Sequence, residues 1–222
     1  MTDRSVGRRP LDEAISEAVA GGVDWVQIRE KDLPGKSLLE LSQRVARAVR
    51  HGAASRGRPA TSVRVVVNRR MDVALALAPR REPQEDRIDG VHLGFDGVSP
   101  TEARLLLGPD AWIGLSCHTP AEALAAYDAG VNYVHLAPVF APISKTASGP
   151  SLGLAALANA ARSGVPVLAQ GGIDVGNAGA VVSAGAAGVA VTGAILMATD
   201  PGKAAGALRQ TLDAAPRALS LG

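Results

Sequence analysis

The sequence predicts an α/β fold, a (β/α)8 TIM barrel whose first strand is missing or truncated at the N-terminus. Short apolar runs of strand length alternate with helix-like segments along the chain, which requires a parallel sheet. The last two apolar runs, within 165–173 and 188–195, each end in glycines, as at the phosphate site of such barrels. We count about seven strands and eight helices, where a closed barrel has eight of each.

The predicted elements alternate in a regular order. Strands are expected at 23–28, 63–67, 90–93, 111–116, 132–136 and in the two glycine-ended runs. Helices are expected at 11–21, 35–51, 71–78, 100–107, 120–129 and 152–162, after the first glycine-ended run, and near 201–212. The chain begins Met1-Thr-Asp-Arg4 and enters a helix almost directly. We therefore expect either that the natural protein starts upstream or that the barrel has a gap beside the strand 23–28.

Composition predicts one domain over 1–222 and excludes several classes of protein. The chain has 222 residues, of which 47% are hydrophobic, enough to build a single core. A net charge of +2 gives no signal for nucleic acid or membrane partners, and no run is long enough to span a membrane. The single cysteine, Cys117, cannot form an internal disulfide, which suits a cytoplasmic protein. The composition leaves a homo-oligomer open.

Two glycine turns are candidates for a phosphate site. Gly171 and Gly172 follow one strand, and Val191-Thr192-Gly193 follows the next. Glycine lets backbone N–H groups approach an anion closely, and a following helix N-terminus favours negative charge. The alternative is that these glycines only form tight turns.

Polar residues at the strand ends are candidates for substrate binding. Gln27, Arg29 and Lys31 alternate after the first strand, so an amide and two cations point the same way and suit a diphosphate or carboxylate. The alternative is a set of salt bridges to Glu30 and Asp32. Asn68 ends the next strand, where it either binds a ring nitrogen or caps a helix.

Two further positions are candidates for catalysis. His118 follows a strand end, where a histidine can exchange protons near neutral pH. Ser144 and Lys145 lie in a loop rich in proline and glycine that resembles a lid, and Lys145 is either a phosphate ligand or a solvated side chain. Cys117, by contrast, is interpreted as a small buried residue. No tight pair of carboxylates marks a metal site, so no metal ligand is assigned.

The order of these motifs resembles the thiamine phosphate synthase/TenI family over nearly the whole chain. The matching segments are Thr2-Asp-Arg4, Gln27-Ile-Arg-Glu-Lys31, Asn68 with Asp72-Val-Ala74, Asp89-Gly-Val-His-Leu-Gly94, Gly114-Leu-Ser-Cys-His-Thr119, Pro138-Val-Phe140 with Ser144-Lys145, Ala169-Gln-Gly-Gly-Ile173 and Gly188-Val-Ala-Val191. The resemblance implies an enzyme of thiamine biosynthesis that binds a small thiazole phosphate.

The resemblance implies one of two activities. The synthase joins a hydroxymethylpyrimidine diphosphate to a thiazole phosphate and uses Mg²⁺, whereas the TenI-type tautomerase moves a proton on a thiazole phosphate carboxylate without a cofactor. By resemblance, the pyrimidine–diphosphate side is bound by Gln27, Arg29, Lys31 and Asn68. The thiazole phosphate lies at Gly172, Val191 and Thr192, Lys145 is the lid lysine, and His118 is the tautomerase acid/base.

Departures from the synthase pattern favour the tautomerase. Arg69 stands where the synthase has an aspartate, Gly97 stands at the second Mg²⁺ carboxylate, and Phe95 replaces a glutamine. Both metal ligands are thus replaced, although Asp96 lies one position from the second. We therefore expect a metal-independent tautomerase. The alternatives are a divergent synthase and a non-catalytic binder of thiazole or thiamine phosphate.

Overall fold

The computed structural model describes residues 1–78, 85–94, 96–141 and 150–216. These residues divide into two compact units, and each is treated by itself. The first unit comprises Met1–Ile113 and Thr192–Gly206. The second comprises Gly114–Val191 and the described part of Ala207–Gly222.

Among the described residues, the N-terminal part of the first unit contains three complete strands, the start of a fourth, four helices and a 3-10 turn. Its helices are α1 (Leu11–Ala20), α2 (Gly35–Ala54), a 3-10 turn at Ala60–Ser62, α3 (Met71–Ala76) and α4 (Pro100–Leu107). Its strands are β1 (Trp25–Ile28), β2 (Arg64–Asn68) and β3 (Gly90–Leu93), and β4 (Trp112–Cys117) begins there. The second unit holds the rest of β4, together with α5 (Pro120–Asp128), β5 (Tyr133–Leu136), α6 (Gly153–Ala161), β6 (Val167–Gln170), α7 (Ala178–Ser183) and β7 (Gly188–Ala190). The short helix α8 (Gly193–Leu196) returns to the first unit, and α9 (Pro201–Ala214) has residues in both units.

The helices form where the sequence places apolar faces and capping residues. The predicted face of α2, formed by Leu38, Leu41, Val45 and Val49, is buried along its whole length. Ser99 starts α4 with a capping box, because its hydroxyl accepts from the Glu102 N–H while the Glu102 carboxylate accepts from the Ser99 N–H. These local signals explain why the predicted helix bounds lie close to the observed ones.

Parallel pairing brings the carboxyl ends of the strands to one edge of the sheet in each unit. In the first unit β1 pairs with β2 and β2 with β3. In the second unit β4 pairs with β5, β5 with β6 and β6 with β7. The α/β fold with seven parallel strands is therefore confirmed. A complete eight-stranded barrel is not confirmed by the described residues, and the prediction of a single domain over 1–222 stays a prediction.

The N-terminal residues lie against the free edge of β1, where the sequence predicts a gap. The Thr2 N–H donates to the Gln27 carbonyl at 2.8 Å, and the Thr2 hydroxyl accepts from the Arg29 N–H at 2.9 Å. Thr2 is fully buried. The C-terminal end of β1 is thus hydrogen-bonded on this side without an assigned strand.

A buried carboxylate stabilises the opposite, N-terminal end of β3. The Asp89 side chain accepts from the Val65 N–H at 2.7 Å and lies 3.8 Å from the Arg50 guanidinium and 3.7 Å from that of Arg64. Arg50 is itself buried and donates to the carbonyls of Ala60 and Val63.

Among the described helices, none is long and apolar enough to cross a membrane.

We expect Asp89→Ala to lower the free energy of unfolding by about 3–5 kcal/mol, because it leaves the Arg50 charge buried without its carboxylate. The measurement is urea denaturation followed by circular dichroism. The control is Asp213→Ala, which removes an exposed carboxylate that pairs with Arg209 and should cost about 1 kcal/mol or less. Equal losses in the two variants would contradict a structural role for Asp89.

Candidate active site

Gln27 is a buried amide without a hydrogen-bond partner. The residue lies in β1 and is 5% exposed, and neither its Oε1 nor its Nε2 has a partner among the described residues. An unsatisfied buried amide costs about 1–3 kcal/mol, so its retention calls for an explanation. The group is therefore available to pair with a bound molecule.

The residues that follow Gln27 become progressively more exposed. β1 ends at Ile28, so Arg29 and Lys31 lie beyond the strand, where Arg29 is half-buried and Lys31 is exposed. The Arg29 guanidinium makes no hydrogen bond or ion pair in the described part of the chain, whereas Lys31 acts electrostatically on Asp96. Positive charge is thus concentrated at this strand end.

The predicted alternative, salt bridges from Arg29 and Lys31 to Glu30 and Asp32, is not what the structure shows. Both carboxylates are bound by Arg4, which donates to Glu30 at 3.1 Å and to both oxygens of Asp32. The hydrogen bond from Arg4 is the largest cause that lowers the pKa of Asp32. This role of Arg4 was missed at the sequence level, although the Thr-Asp-Arg motif that contains it was noted.

Asn68 presents a second amide at the end of β2. It does not cap a helix as one alternative predicted, because Arg70 occupies the N-cap position of α3. The Asn68 side chain has no hydrogen-bond partner among the described residues. Since Ile28 pairs with Val67, the ends of β1 and β2 emerge together, and both amides belong to the same edge.

Arg69 extends from this edge toward the residues after β3. Its guanidinium forms an ion pair with Asp96, and its backbone N–H donates to the His92 carbonyl at 2.8 Å. The hydrogen bond from Arg69, with a contribution from Lys31, lowers the pKa of Asp96. The neighbouring Arg70 pairs with Asp72 and likewise lowers its pKa. Arginines therefore hold the carboxylates that follow β2 and β3.

These carboxylates do not fit a Mg²⁺ site of the kind that the family resemblance implies. Mg²⁺ requires nearly octahedral oxygen ligands, usually including one or two carboxylates that project into the site. Here Asp72 and Asp96 each accept from a guanidinium, and the described residues contain no group of three potential ligands. Asp96 therefore acts as a partner of Arg69 rather than as a ready metal ligand.

In the second unit, Gly171 and Gly172 form a tight turn after β6. Both have positive φ angles, 98° and 60°, and a Cβ on Gly171 would lie 2.9 Å from Pro138. A Cβ on Gly172 would collide with the Ala141 carbonyl oxygen. The two backbone N–H groups have no acceptor among the described residues. The glycines do form a tight turn, and the binding of an anion by its N–H groups stays a prediction.

Val191 and Thr192 follow β7, and each belongs to a different unit. Thr192 precedes α8, and its carbonyl accepts from Ile195 and Leu196 without a side-chain cap. Their predicted contact with a phosphate stays a prediction. Ser144, Lys145 and Phe95 lie outside the described residues.

His118 is exposed at the end of β4 and close to a carboxylate. Its backbone N–H donates to the Glu122 carboxylate at 2.7 Å, and its Nδ1 lies 3.7 Å from that carboxylate. Glu122 can orient the imidazole in this position, although the acid/base role itself stays a prediction.

Cys117 is buried, and burial raises the pKa of its thiol to about 12, which disfavours a role as a nucleophile.

His92 and His135 are buried within strands. Burial lowers the pKa of His135 to about 3, so the ring is neutral at pH 7 and its Nδ1 lies 3.2 Å from Oε1 of Gln170. This neutral, hydrogen-bonded histidine belongs to the interior of the second unit. The interpretation of both residues as interior layers agrees with their burial.

We expect Gly172→Ala to destabilise the protein more than Gly57→Ala. Both glycines have similar positive φ angles, 60° and 66°, but only Gly172 lies against backbone atoms. The shared backbone strain costs about 1–2 kcal/mol, and overpacking at Gly172 adds about 1–3 kcal/mol. Urea denaturation of both variants measures the difference. Equal losses would mean that the close approach to Ala141 is unimportant.

Comparisons with known proteins show which family this chain resembles. A family model described as thiamine monophosphate synthase matches residues 1–195. A thiamine-phosphate synthase of Roseiflexus sp. (strain RS-1) is 38% identical over 97% of this chain and 84% of its own length. One from Albidiferax ferrireducens is 40% identical over 94% of this chain and 87% of its own.

Solved structures also resemble this chain. The thiamine phosphate pyrophosphorylase from Pyrococcus furiosus superimposes with a TM-score of 0.75 and 29% identity, over 95% of this chain and 92% of that one. A 3-hexulose-6-phosphate synthase, at 19% identity and a TM-score of 0.59, shares the fold alone. The relatives support the synthase better than the tautomerase that the sequence departures favoured. The chain belongs to the thiamine phosphate synthase/TenI family, a family of enzymes.

Proposed function

We propose that this chain is a thiamine phosphate synthase that joins hydroxymethylpyrimidine diphosphate to a thiazole phosphate. The relatives described above are named for this reaction and cover nearly the whole chain. The observation that carries the proposal is the buried amide of Gln27, which has no partner in the part of the chain that the structure describes. An aminopyrimidine ring offers both donors and acceptors, so it can satisfy an amide that the protein leaves open.

The charges at the strand ends suit the leaving group. In the reaction, the bond between the pyrimidine methylene carbon and the diphosphate oxygen breaks, and that oxygen keeps the electron pair. The methylene carbon then forms its new bond to the thiazole nitrogen, and pyrophosphate departs. Arg29 and Lys31 follow Gln27 at the end of β1, where positive charge favours the negative charge that develops on the diphosphate.

The other half of the substrate pair needs a separate phosphate site. The Gly171-Gly172 turn offers N–H groups that have no acceptor among the described residues, which suits the phosphate of the thiazole. Asn177 holds this turn through a 2.8 Å hydrogen bond from its side-chain nitrogen to the Gly172 carbonyl, and so keeps the N–H groups oriented. Under this proposal, His118 and Lys145 keep the roles that the family resemblance implies, and Lys145 lies outside the described residues.

The direct test is product formation from the two purified substrates. We expect thiamine phosphate and pyrophosphate in equal amounts, measured by chromatography, from folded protein supplied with Mg²⁺ and, separately, with a chelator. Absence of thiamine phosphate under both conditions would contradict the proposal. Turnover of the carboxylated thiazole phosphate in the same preparation would then establish the tautomerase, and binding without turnover would establish a carrier.

We expect Gln27→Leu to separate stability from activity. The substitution removes an unsatisfied buried amide, so the free energy of unfolding should rise by about 1–3 kcal/mol, while kcat/KM for the pyrimidine substrate should fall about tenfold or more. Steady-state kinetics and urea denaturation measure the two effects.

The matched control is Ser42→Ala in α2, which also removes a buried polar group without a partner. This variant should keep wild-type kcat/KM because α2 residue 42 lies outside the proposed site. Unchanged kcat/KM in Gln27→Leu would show that the amide does not bind substrate.

A further inference from the structure

Arg69 adopts a backbone conformation that an arginine rarely takes. Its φ angle is 63°, and it is the one non-glycine residue with a positive φ in the described part of the chain. The left-handed region disfavours a residue with a Cβ, and such outliers concentrate at functional sites. The protein therefore retains an arginine where glycine, asparagine or aspartate would be the easier choice.

The surroundings of Arg69 hold its side chain in one place. A Cβ on Gly94 would lie 3.1 Å from the Arg69 Cζ and 3.1 Å from Asp96 Oδ1, so the absence of a side chain at 94 leaves room for the ion pair. Asp96 accepts from Nη2 of the guanidinium. The Nε and Nη1 donors have no acceptor among the described residues. The ion pair thus orients the group and leaves open the N–H donors that bind phosphate oxygens.

Neighbouring groups make the same position attractive to a polyanion. The Lys31 ammonium is close enough to act on Asp96, and the Arg29 guanidinium follows the same strand end. Asp96 is the carboxylate in direct contact with Arg69. The four cations at this edge, Arg4, Arg29, Lys31 and Arg69, exceed the three carboxylates Glu30, Asp32 and Asp96 by one charge. The surplus positive charge lies at the edge that also carries the open amides of Gln27 and Asn68.

We propose that Arg69, held by Asp96 and assisted by Lys31, binds the diphosphate group directly, in place of a carboxylate-bound Mg²⁺. The inference rests on the proposed synthase function for its substrate, and it predicts a pyrophosphate site that does not need a metal. Because these carboxylates do not suit Mg²⁺, the Arg69 guanidinium binds the diphosphate charge that the metal would otherwise bind. A fixed guanidinium supplies charge and directed donors but no octahedral coordination.

The test measures binding of inorganic pyrophosphate by calorimetry in the presence of a chelator. We expect wild-type protein to bind, and Arg69→Ala to bind about ten- to a hundredfold more weakly, as for the loss of a charge-assisted hydrogen bond. Alanine keeps the Cβ and hence the same backbone strain. The control is Arg9→Ala, which removes an exposed arginine paired with Glu17 and should leave binding unchanged.

A double variant tests whether Arg69 takes the place of a carboxylate-bound Mg²⁺. A Cβ on Gly97 would make only an ordinary contact with the Gly94 carbonyl oxygen, at 3.8 Å, and aspartate tolerates a positive φ. Arg69→Asp combined with Gly97→Asp therefore supplies two carboxylates without forcing the backbone. We expect this double variant to bind pyrophosphate only when Mg²⁺ is present. Binding in chelator that matches the wild type, in this variant or in Arg69→Ala, would overturn the inference.

The two proposals fail in different ways. Wild-type protein that binds pyrophosphate only with Mg²⁺, yet forms thiamine phosphate, would overturn the role of Arg69 and leave the synthase function standing. Wild-type protein that binds pyrophosphate in chelator through Arg69, yet forms no thiamine phosphate, would keep the anion site and overturn the synthase function.

Discussion

Arginine side chains hold the carboxylates at the ends of the first strands, and the character of the candidate site depends on this pairing. Arg4 binds Glu30 and Asp32, and Arg69 binds Asp96. Each of these carboxylates thereby has a guanidinium partner and is less available to bind a cation. The remaining cations face an edge of the sheet where parallel strands deliver their polar ends together.

At this charged edge, the Gln27 amide has no net charge, but its hydrogen bonds would fix the orientation of a bound molecule. Ionic attraction can hold a diphosphate in many orientations, whereas a buried amide accepts few hydrogen-bond geometries. The free protein bears the cost of leaving Gln27 unsatisfied. A buried network around Asp89 lies at the other end of β3 and stabilises the first unit. The stabilising residues around Asp89 thus lie at the N-terminal end of the strands in the first unit, and the candidate binding residues lie at the C-terminal end.

Local sequence patterns predicted the elements but not their long-range partners. The alternation of strands and helices, the buried face of α2 and the glycine turns all follow from residues close together in the chain. The pairing of Arg4 with Glu30 and Asp32 joins segments that no local spacing connects, and the positive φ of Arg69 contradicts the usual preference of arginine. The roles of the individual site residues remain predictions, and for Ser144 and Lys145 the structure adds nothing.

The most direct measurement is a crystal structure of the protein with pyrophosphate, grown in the presence of a chelator. The account predicts pyrophosphate at the ends of β1 and β2, with Nε or Nη1 of Arg69 about 3 Å from a phosphate oxygen. The Asp96 carboxylate should still accept from Nη2. Pyrophosphate bound elsewhere, with no contact to Arg69, would contradict the account.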